Sequence, residues 1–387
     1  MHIPLVDVAC QHRALRAELE EAIWELLEDE ACDGSLQLRR LEQNLGRWLG
    51  GVAAAGVQSG TAGLFLALKA LGVGPGDEVI APPNSDLPTT AVISHVGARF
   101  VLADVEADSF NLDPAKIEAL ITPRTRAIMV VHLYGNPADM DPIMEIARRH
   151  HLRVVEDATL ALGATYKGRL CGTIGDLGVY SFAPRKILGS AGSGGLVVTS
   201  DPELDRRVRL FRGYGREPAL GDGPLSGLFQ SEGTVHVVEG YNLRLNPLEA
   251  AIVDVKLRHL DEWLVQRRAI AARYEEHFQG TPVQAPVVRP GCQHAFRNYV
   301  VQLPQRTAVR ERLREQGIET AVLYVPPVHL QPVYREAGYP RGSLPVAEAQ
   351  AERLLCLPIY PGMTTEAVDQ VAEAVLAALR EMGQRDQ

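Results

Sequence analysis

From Val52 to about Ser200 the chain alternates short apolar runs with amphipathic stretches. The runs EVIAPP (78–83), ARFVLADV (98–105), RAIMVVHLYG (126–135), LRVVEDAT (152–159), LGVYSFAP (177–184) and GGLVVTSD (194–201) carry little internal polarity. Between them, 62–71, 114–120 and 142–150 have helical periodicity, as do 12–30 and 36–49 before them. Uniformly apolar strands separated by helices predict a mostly parallel sheet covered on both faces. In such sheets ligands lie at the carboxyl ends of the strands. A polar, glycine-rich stretch at 213–236 predicts a long loop. Beyond it the pattern predicts one long helix over 247–276, a strand at 298–303, and helices at 306–316 and 365–382, a smaller α+β unit. The proline- and aromatic-rich LYVPPVHLQPVYREAGY predicts an irregular, site-forming loop.

Composition narrows the classes of function. The chain has 387 residues, 46% hydrophobic and 22% charged, with a net charge of −9. These values suit a soluble globular protein of two domains, or of one large domain with an appendage. No basic cluster could follow a phosphate backbone, so nucleic acid is not an expected partner. No run reaches the ~20 apolar residues of a membrane helix, and the N-terminus shows no secretory pattern. Five dispersed cysteines, without CxxC or metal spacing, fit a reduced cytoplasmic setting and no metal site.

Three motifs carry chemistry. Ser59-Gly60-Thr61-Ala62 precedes a helix, where free N–H groups and the positive end of the helix dipole attract an anion; a plain helix cap reads the same way. Glu156-Asp157 ends an apolar strand, where an acid can hold a ligand nitrogen protonated, or can simply close a turn. Ser181-Phe182-Ala183-Pro184-Arg185-Lys186 follows another strand, and a lysine walled by apolar residues can act as a nucleophilic or Schiff-base amine. Only five lysines exist. Lys69, Lys116 and Lys256 fall within predicted helices and Lys167 in a turn, where surface exposure is the simpler expectation. An anion-binding helix start, a strand-end acid and a strand-end amine, in that order, match the needs of a phosphorylated pyridine aldehyde.

With those motifs, SGTAGLFLAL (59–68), GPGDEVIAPP (74–83), VHLYGNPADMD (131–141), GDLGVYSFAPRKILG (175–189), EGYNLRLNPLEAAI (239–252) and VPPVHLQPVY (325–334), the chain resembles the DegT/DnrJ/EryC1/StrS sugar aminotransferases along nearly its whole length. The resemblance implies the fold type I, aspartate-aminotransferase-like α/β architecture. A large domain would span 1–250, and a small α+β domain 251–387, with residues 1–30 free to pack against the latter. It implies pyridoxal phosphate on Lys186 as a Schiff base, with Gly60, Thr61, Ala62 and Ser181 on the phosphate and Asp157 on the pyridine nitrogen. Asn242 would reach the cofactor of a neighbouring subunit, which requires a homodimer. Tyr324 and His329 would meet a nucleotide-linked sugar.

Three departures stand out. Leu160 and Leu162 replace a usual glutamine and histidine after Asp157. Asp86 occupies the position that usually covers the ring. Glu249 replaces a usual glutamine. The implied activity is transfer of an amino group from an amino acid, glutamate being expected, to a 3- or 4-keto-6-deoxy sugar carried on a nucleotide, as in deoxyamino sugar and antibiotic biosynthesis. Two rivals stay open: dehydration, epimerisation or oxidation of a sugar or cyclitol with the same cofactor, and a non-catalytic regulatory homologue.

Overall fold

The structure, a computed structural model, describes residues 2–28, 35–216 and 235–383. Most of the glycine-rich stretch expected to be a loop, 217–234, lies outside the described residues. The chain opens with helices α1 (Val8–Ala14), α2 (Arg16–Leu27) and α3 (Ser35–Trp48). Strand β1 (Ala53–Val57), helix α4 (Gly60–Ala70), β2 (Glu78–Ala81), α5 (Leu87–His95), β3 (Arg99–Leu102), β4 (Thr125–Val131), α6 (Met140–Arg149) and β5 (Arg153–Asp157) follow. Two short strands, β6 (Thr165–Tyr166) and β7 (Arg169–Leu170), precede β8 (Leu177–Ser181), β9 (Gly195–Thr199) and helix α7 (Pro202–Arg212).

The sheet runs in the order β1-β9-β8-β5-β4-β2-β3. Its pairs are parallel except those made by β9, which runs against both β1 and β8. The two-residue side-chain period of a strand sorts the sheet into two cores. Ile80, Ile128, Val130, Val154 and Val198 face α3 and α6, where Leu38, Leu41, Leu45, Ile143 and Ile146 meet them. Val79, Ala127, Met129, Val155 and Val197 face α4, α5 and α7, meeting Leu64, Leu68, Ile93 and Val208. The expected doubly covered sheet is present.

The sequence pattern misplaces three elements. The long helix expected at 247–276 is two, α8 (Pro247–Leu257) and α9 (Leu260–Phe278), broken at Arg258-His259. The stretch 114–120 forms two 3-10 turns rather than a helix. The N-terminal helix starts at Val8 and breaks at Leu15. Past α9, strands β10 (Cys292–Gln293), β11 (Tyr299–Gln302) and β12 (Leu354–Leu357) and helices α10 (Arg306–Glu315), α11 (Pro345–Arg353) and α12 (Thr365–Gly383) complete the chain. β11 and β12 pair antiparallel. α9, α10 and α12 build a third core on them with Tyr274, Val309, Leu313, Val371 and Val375. Ile3 also enters this core, whereas Leu15 joins the first. α9 belongs to both: Leu260, Trp263 and Leu264 sit in the first core, and Ile270, Tyr274 and Phe278 in the third. Among the described residues no helix is long and apolar enough to cross a membrane.

One buried polar group fastens the middle of the sheet. Glu156, with no exposure, accepts hydrogen bonds from His132 Nε2 (2.8 Å), Gly172 N (2.7 Å), Ile174 N (2.6 Å) and Gly175 N (2.6 Å). His132 Nδ1 accepts from Ala138 N at 3.0 Å, which assigns the ring proton to Nε2. Burial alone would raise this carboxyl. The His132 hydrogen bond and the glycine N–H groups outweigh it and hold the group below the usual glutamate range. Glu156→Ala would leave a histidine and three backbone donors buried without a partner. It should lower unfolding stability by about 3–5 kcal/mol. A denaturant midpoint within error of the parent protein's would refute that account.

Candidate active site

Alternation along β5 sends its last two acids in opposite directions. Glu156 points into the first core, and Asp157 points to the α4–α5 side, where Thr89 of α5 donates to its Oδ2 at 2.9 Å and Thr159 N to its Oδ1 at 3.2 Å. Beside it lies a cavity of about 220 Å³. Each wall comes from a different strand end. Ser59, Gly60 and Thr61 follow β1, and Ser85 and Asp86 follow β2. Leu133 follows β4, Thr159 and Leu160 follow β5, and Lys186 follows β8 after its terminal Ser181. Tyr324 closes the cavity from the C-terminal part of the chain. A larger hollow of about 430 Å³ lies beside α3, away from these residues. Its Arg209 is committed to Glu42 and Asp205.

The start of α4 is built for close approach. Ser59 caps the helix, its Oγ accepting from Ala62 N at 3.0 Å. The first intrahelical bond runs from Gly63 N to Ser59 O, so the N–H groups of Gly60 and Thr61 precede the helical ladder. A Cβ on Gly60 would stand 2.9 Å from Ser181 Cβ and 3.1 Å from Thr159 Cγ2, so only glycine lets the helix start sit against β8. The sequence reading assigned Ala62 to the same anion. Its N–H is spent on the Ser59 cap, and Ala62 does not line the cavity.

Lys186 is half-buried in the turn after β8, where its own N–H donates to Ala183 O at 2.8 Å. Burial pushes its amine down to about 8; the Arg297 guanidinium pushes the same way, and Asp157 and Asp86 push back. The turn is held from outside. Lys256 Nζ donates to Gly189 O at 2.6 Å, Gly192 N to Glu249 Oε2 at 3.0 Å, and Ser193 Oγ to Gln58 O at 2.7 Å. Lys256 thus departs from the expected surface lysine: it is fully buried, also contacts His12 Nε2 at 2.8 Å, and burial brings its amine to about 8. Glu249, one of the three departures, acts here as a loop clamp.

The cavity brings together Gly60, Thr61, Asp86, Asp157, Leu160, Ser181, Lys186 and Tyr324. Asp86 is exposed and caps α5, its Oδ1 accepting from Leu87 N at 2.9 Å. Leu160 packs with Phe110, Val131, Leu133 and Tyr134 into an apolar wall, whereas Leu162 turns into the first core. Tyr324 stacks on Tyr134 with centroids 5.9 Å apart and planes 12° apart, and burial drives its phenol well above the ordinary range. Two expected residues lie elsewhere. His329 is buried with Nε2 3.0 Å from Glu348 Oε1, and it does not line the cavity. Asn242 is exposed beside Gly213, outside the cavity of its own chain. Thr89, Thr159 and Arg297 were not legible beforehand. Only folding brings them to β5 and Lys186. Among the described residues no cluster of three or more histidines, cysteines and acids could hold a metal.

A mostly parallel sheet with a desolvated lysine, a strand-end acid and a helix start converging on one cavity marks an aminotransferase-type α/β protein. The chain belongs to the DegT/DnrJ/EryC1/StrS aminotransferase family, whose model matches residues 14–376. It is 39% identical over 374 residues to the dTDP-3-amino-3,4,6-trideoxy-alpha-D-glucose transaminase of Streptomyces venezuelae, covering 96% of this chain and 95% of that one. It is 38% identical over 378 residues to a "pleiotropic regulatory protein" of Geobacillus stearothermophilus, covering 97% and 98%. The solved structure of S. venezuelae DesV in complex with a ketimine intermediate superposes with a TM-score of 0.89 at 38% identity, covering 97% of both chains. That of NtdA from Bacillus subtilis with bound cofactor PMP gives 0.85 at 28%, covering 98% and 85%.

Only a neutral amine acylates. Labelling of Lys186 by an amine-directed reagent, followed by peptide mass spectrometry across pH, should reach half its limiting rate at about pH 8. A midpoint in the ordinary lysine range near ~10.4 would show that the cavity does not desolvate this amine.

Proposed function

We propose that this chain is a pyridoxal-phosphate-dependent sugar aminotransferase that carries the cofactor on Lys186 and moves an amino group from glutamate to a nucleotide-linked 3- or 4-keto-6-deoxy sugar. The observation that carries this reading is the convergence of the lowered Lys186 amine, Asp157 and the α4 start on one cavity. The residues suit the cofactor. The Gly60 and Thr61 N–H groups, the dipole of an eleven-residue helix and the Ser181 hydroxyl form a cradle for a phosphate. Asp157, held by Thr89 and Thr159, keeps acceptor capacity toward the cavity for a protonated ring nitrogen. Leu160 and Leu133 offer apolar surface to a ring.

When bound, the cofactor supplies a conjugated ring that takes up the electron pair left as the donor's α-proton departs. Lys186 Nζ would hold the cofactor's carbonyl carbon until the donor's amine displaces it, and the freed amine would then take the α-proton and deliver one to that carbonyl carbon. Its lowered pKa suits both tasks near neutral pH. Asp157 holds the proton on the ring nitrogen so that the electron pair has a favourable destination. The Tyr324–Tyr134 stack shields one flank and presents a phenol to the sugar. Tyr324 is the substrate contact with the stronger support; His329 would act only through the loop it anchors with Glu348.

Asn242 reaches a second cofactor in this reading, which makes the working unit a homodimer. Support comes from the exposed apolar residues around it, Val235, Val237, Val238, Tyr241 and Leu248. The division into domains at 1–250 and 251–387 is supported by the separate third core, with α9 shared across it. A reduced, cytoplasmic setting is supported by Cys10, Cys171, Cys292 and Cys356, all free thiols. The name of the Geobacillus relative does not favour a regulatory role here, because the amine and acid that turnover requires both face the cavity. Neither does the geometry favour a reaction other than transamination, since Lys186 keeps its place.

Incubation with L-glutamate and a dTDP-linked 3-keto-6-deoxy sugar should yield 2-oxoglutarate and the amino sugar. Lys186→Ala should lose both turnover and the borohydride-trapped cofactor adduct on the 186 peptide. Asp157→Asn should keep the adduct but slow turnover by at least about 10²-fold. A Lys186→Ala protein that still traps the cofactor elsewhere would overturn the assignment.

A further inference from the structure

Once phosphate, ring nitrogen and carbonyl carbon have their partners, one charged group of the cavity is left without a task. Gly60, Thr61 and Ser181 form the anion cradle, Thr89 and Thr159 hold Asp157, and Leu133 and Leu160 give apolar surface. Asp86 lines the same cavity of about 220 Å³ as Lys186. It caps α5, where its Oδ1 accepts from Leu87 N at 2.9 Å. A cap needs one oxygen. No hydrogen bond or ion pair of the other, Oδ2, occurs among the described residues. A carboxylate oxygen left open on the wall of a reactive cavity is an acceptor for whatever enters, and such placed polar groups fix a ligand's orientation.

The height of Asp86 in the cavity follows from α5. The cap residue and the third helical residue stand side by side, as in a capping box, so Asp86 and Thr89 share a face. Thr89 reaches Asp157 at 2.9 Å. Asp86 therefore stands one turn above the acid assigned to the ring nitrogen, at the exposed mouth where a sugar must enter. Tyr324 lines that cavity as well, and the Asp86 charge adds to burial in raising its phenol.

A carboxylate attracts hydrogen-bond donors and repels anions. A nucleotide-linked sugar carries its diphosphate on the anomeric carbon, so that end is turned away from Asp86. What faces Asp86 is the neighbour of the reacting carbon on the side remote from the anomeric carbon. For a sugar reacting at carbon 3, that neighbour is carbon 4 and its hydroxyl. A sugar reacting at carbon 4 has no such neighbour, since carbons 3 and 5 lie equally near the anomeric carbon. We propose that Asp86 accepts a hydrogen bond from the 4-hydroxyl of a sugar aminated at carbon 3. It thereby selects 3-amino sugars that keep this hydroxyl over their 4-deoxy counterparts.

The inference rests on the transamination reading and narrows its substrate. The holoenzyme is mixed separately with L-glutamate, with each 4-epimer of dTDP-3-amino-3,6-dideoxyglucose, and with dTDP-3-amino-3,4,6-trideoxyglucose, which lacks the hydroxyl. Loss of the cofactor's visible absorption is followed. If none of the four changes it, the transamination reading fails and the inference falls with it. Otherwise the better hydroxylated sugar should exceed the 4-deoxy sugar in kcat/KM at least about tenfold, as one charge-assisted hydrogen bond requires. Asp86→Ser keeps a capping oxygen and leaves none in the place of Oδ2, and it should bring the two sugars within about threefold of each other. Asp86→Asn caps equally well and removes the charge, so it should give an intermediate ratio, which serves if Asp86→Ser does not fold. The pyridoxamine form cannot react with an amine, and calorimetric binding of the same sugars to it should show the same preference and the same loss. A parent protein that treats the sugars alike, or reacts with glutamate and none of them, overturns the proposal. So does an Asp86→Ser protein slowed on all three sugars by one factor, because Asp86 would then serve the helix or the cofactor and not the sugar.

Discussion

The site depends on a single strand end carrying two acids that must face opposite ways. Were β5 one residue out of register, Asp157 would enter the first core and Glu156 the cavity. Four hydrogen bonds to Glu156 oppose that slip, because the shorter Asp157 side chain would have to meet His132 and the 172–175 turn in its place. The interior acid thereby sets the direction of the cavity acid. Its neighbours inherit the alignment: β4 pairs Val131 with Asp157, and β8 pairs Val179 with it, which fixes where Leu133 and Ser181 emerge.

Around that fixed point the protein keeps its reactive amine in an unfavourable state. Lys186 would be more stable as an ammonium in water, yet the fold encloses it and adds a second cation, Arg297, on the same side. The cost is borne by packing elsewhere, chiefly by α8, whose Glu249 and Lys256 hold both ends of the 187–193 loop. Here the departure from the usual glutamine at 249 has a local physical role: the carboxylate accepts from Gly192 N, and it also lies close enough to Lys256 to raise that buried amine slightly against its desolvation.

Much of this was legible in the residues. Apolar runs with little polarity predicted the parallel sheet, because strands buried on two faces need no alternation. Strand-end placement predicted that Asp157, Ser181 and Lys186 would share a cavity. What escaped were the contacts made at long range. Thr89 and Arg297 have no local signature: each lies at least 60 residues from its partner, and an arginine among arginines gives no sign of being buried. Lys256 misled for a related reason. Its position in an amphipathic helix predicts exposure, but α8 is covered by α2 and the Lys186 loop, so both of its faces are interior. The break between α8 and α9 was hidden by continuous helical propensity through Arg258-His259.

α9 is rooted in two cores at once, its first turns among the sheet helices and its last among the C-terminal strands. Lys186 and Asp157 stand on the sheet side of this beam, while Phe296, the neighbour of Arg297, belongs to the far side. The beam therefore ties the two sides together, its Arg267 donating to Phe296 O at 3.1 Å. Any bend near its middle, around Gln266 to Ile270, would be read at the chemistry as a change in the gap between amine and guanidinium. A helix resists bending far more than a loop resists swinging, so the protein holds that gap by stiffness rather than by a latch.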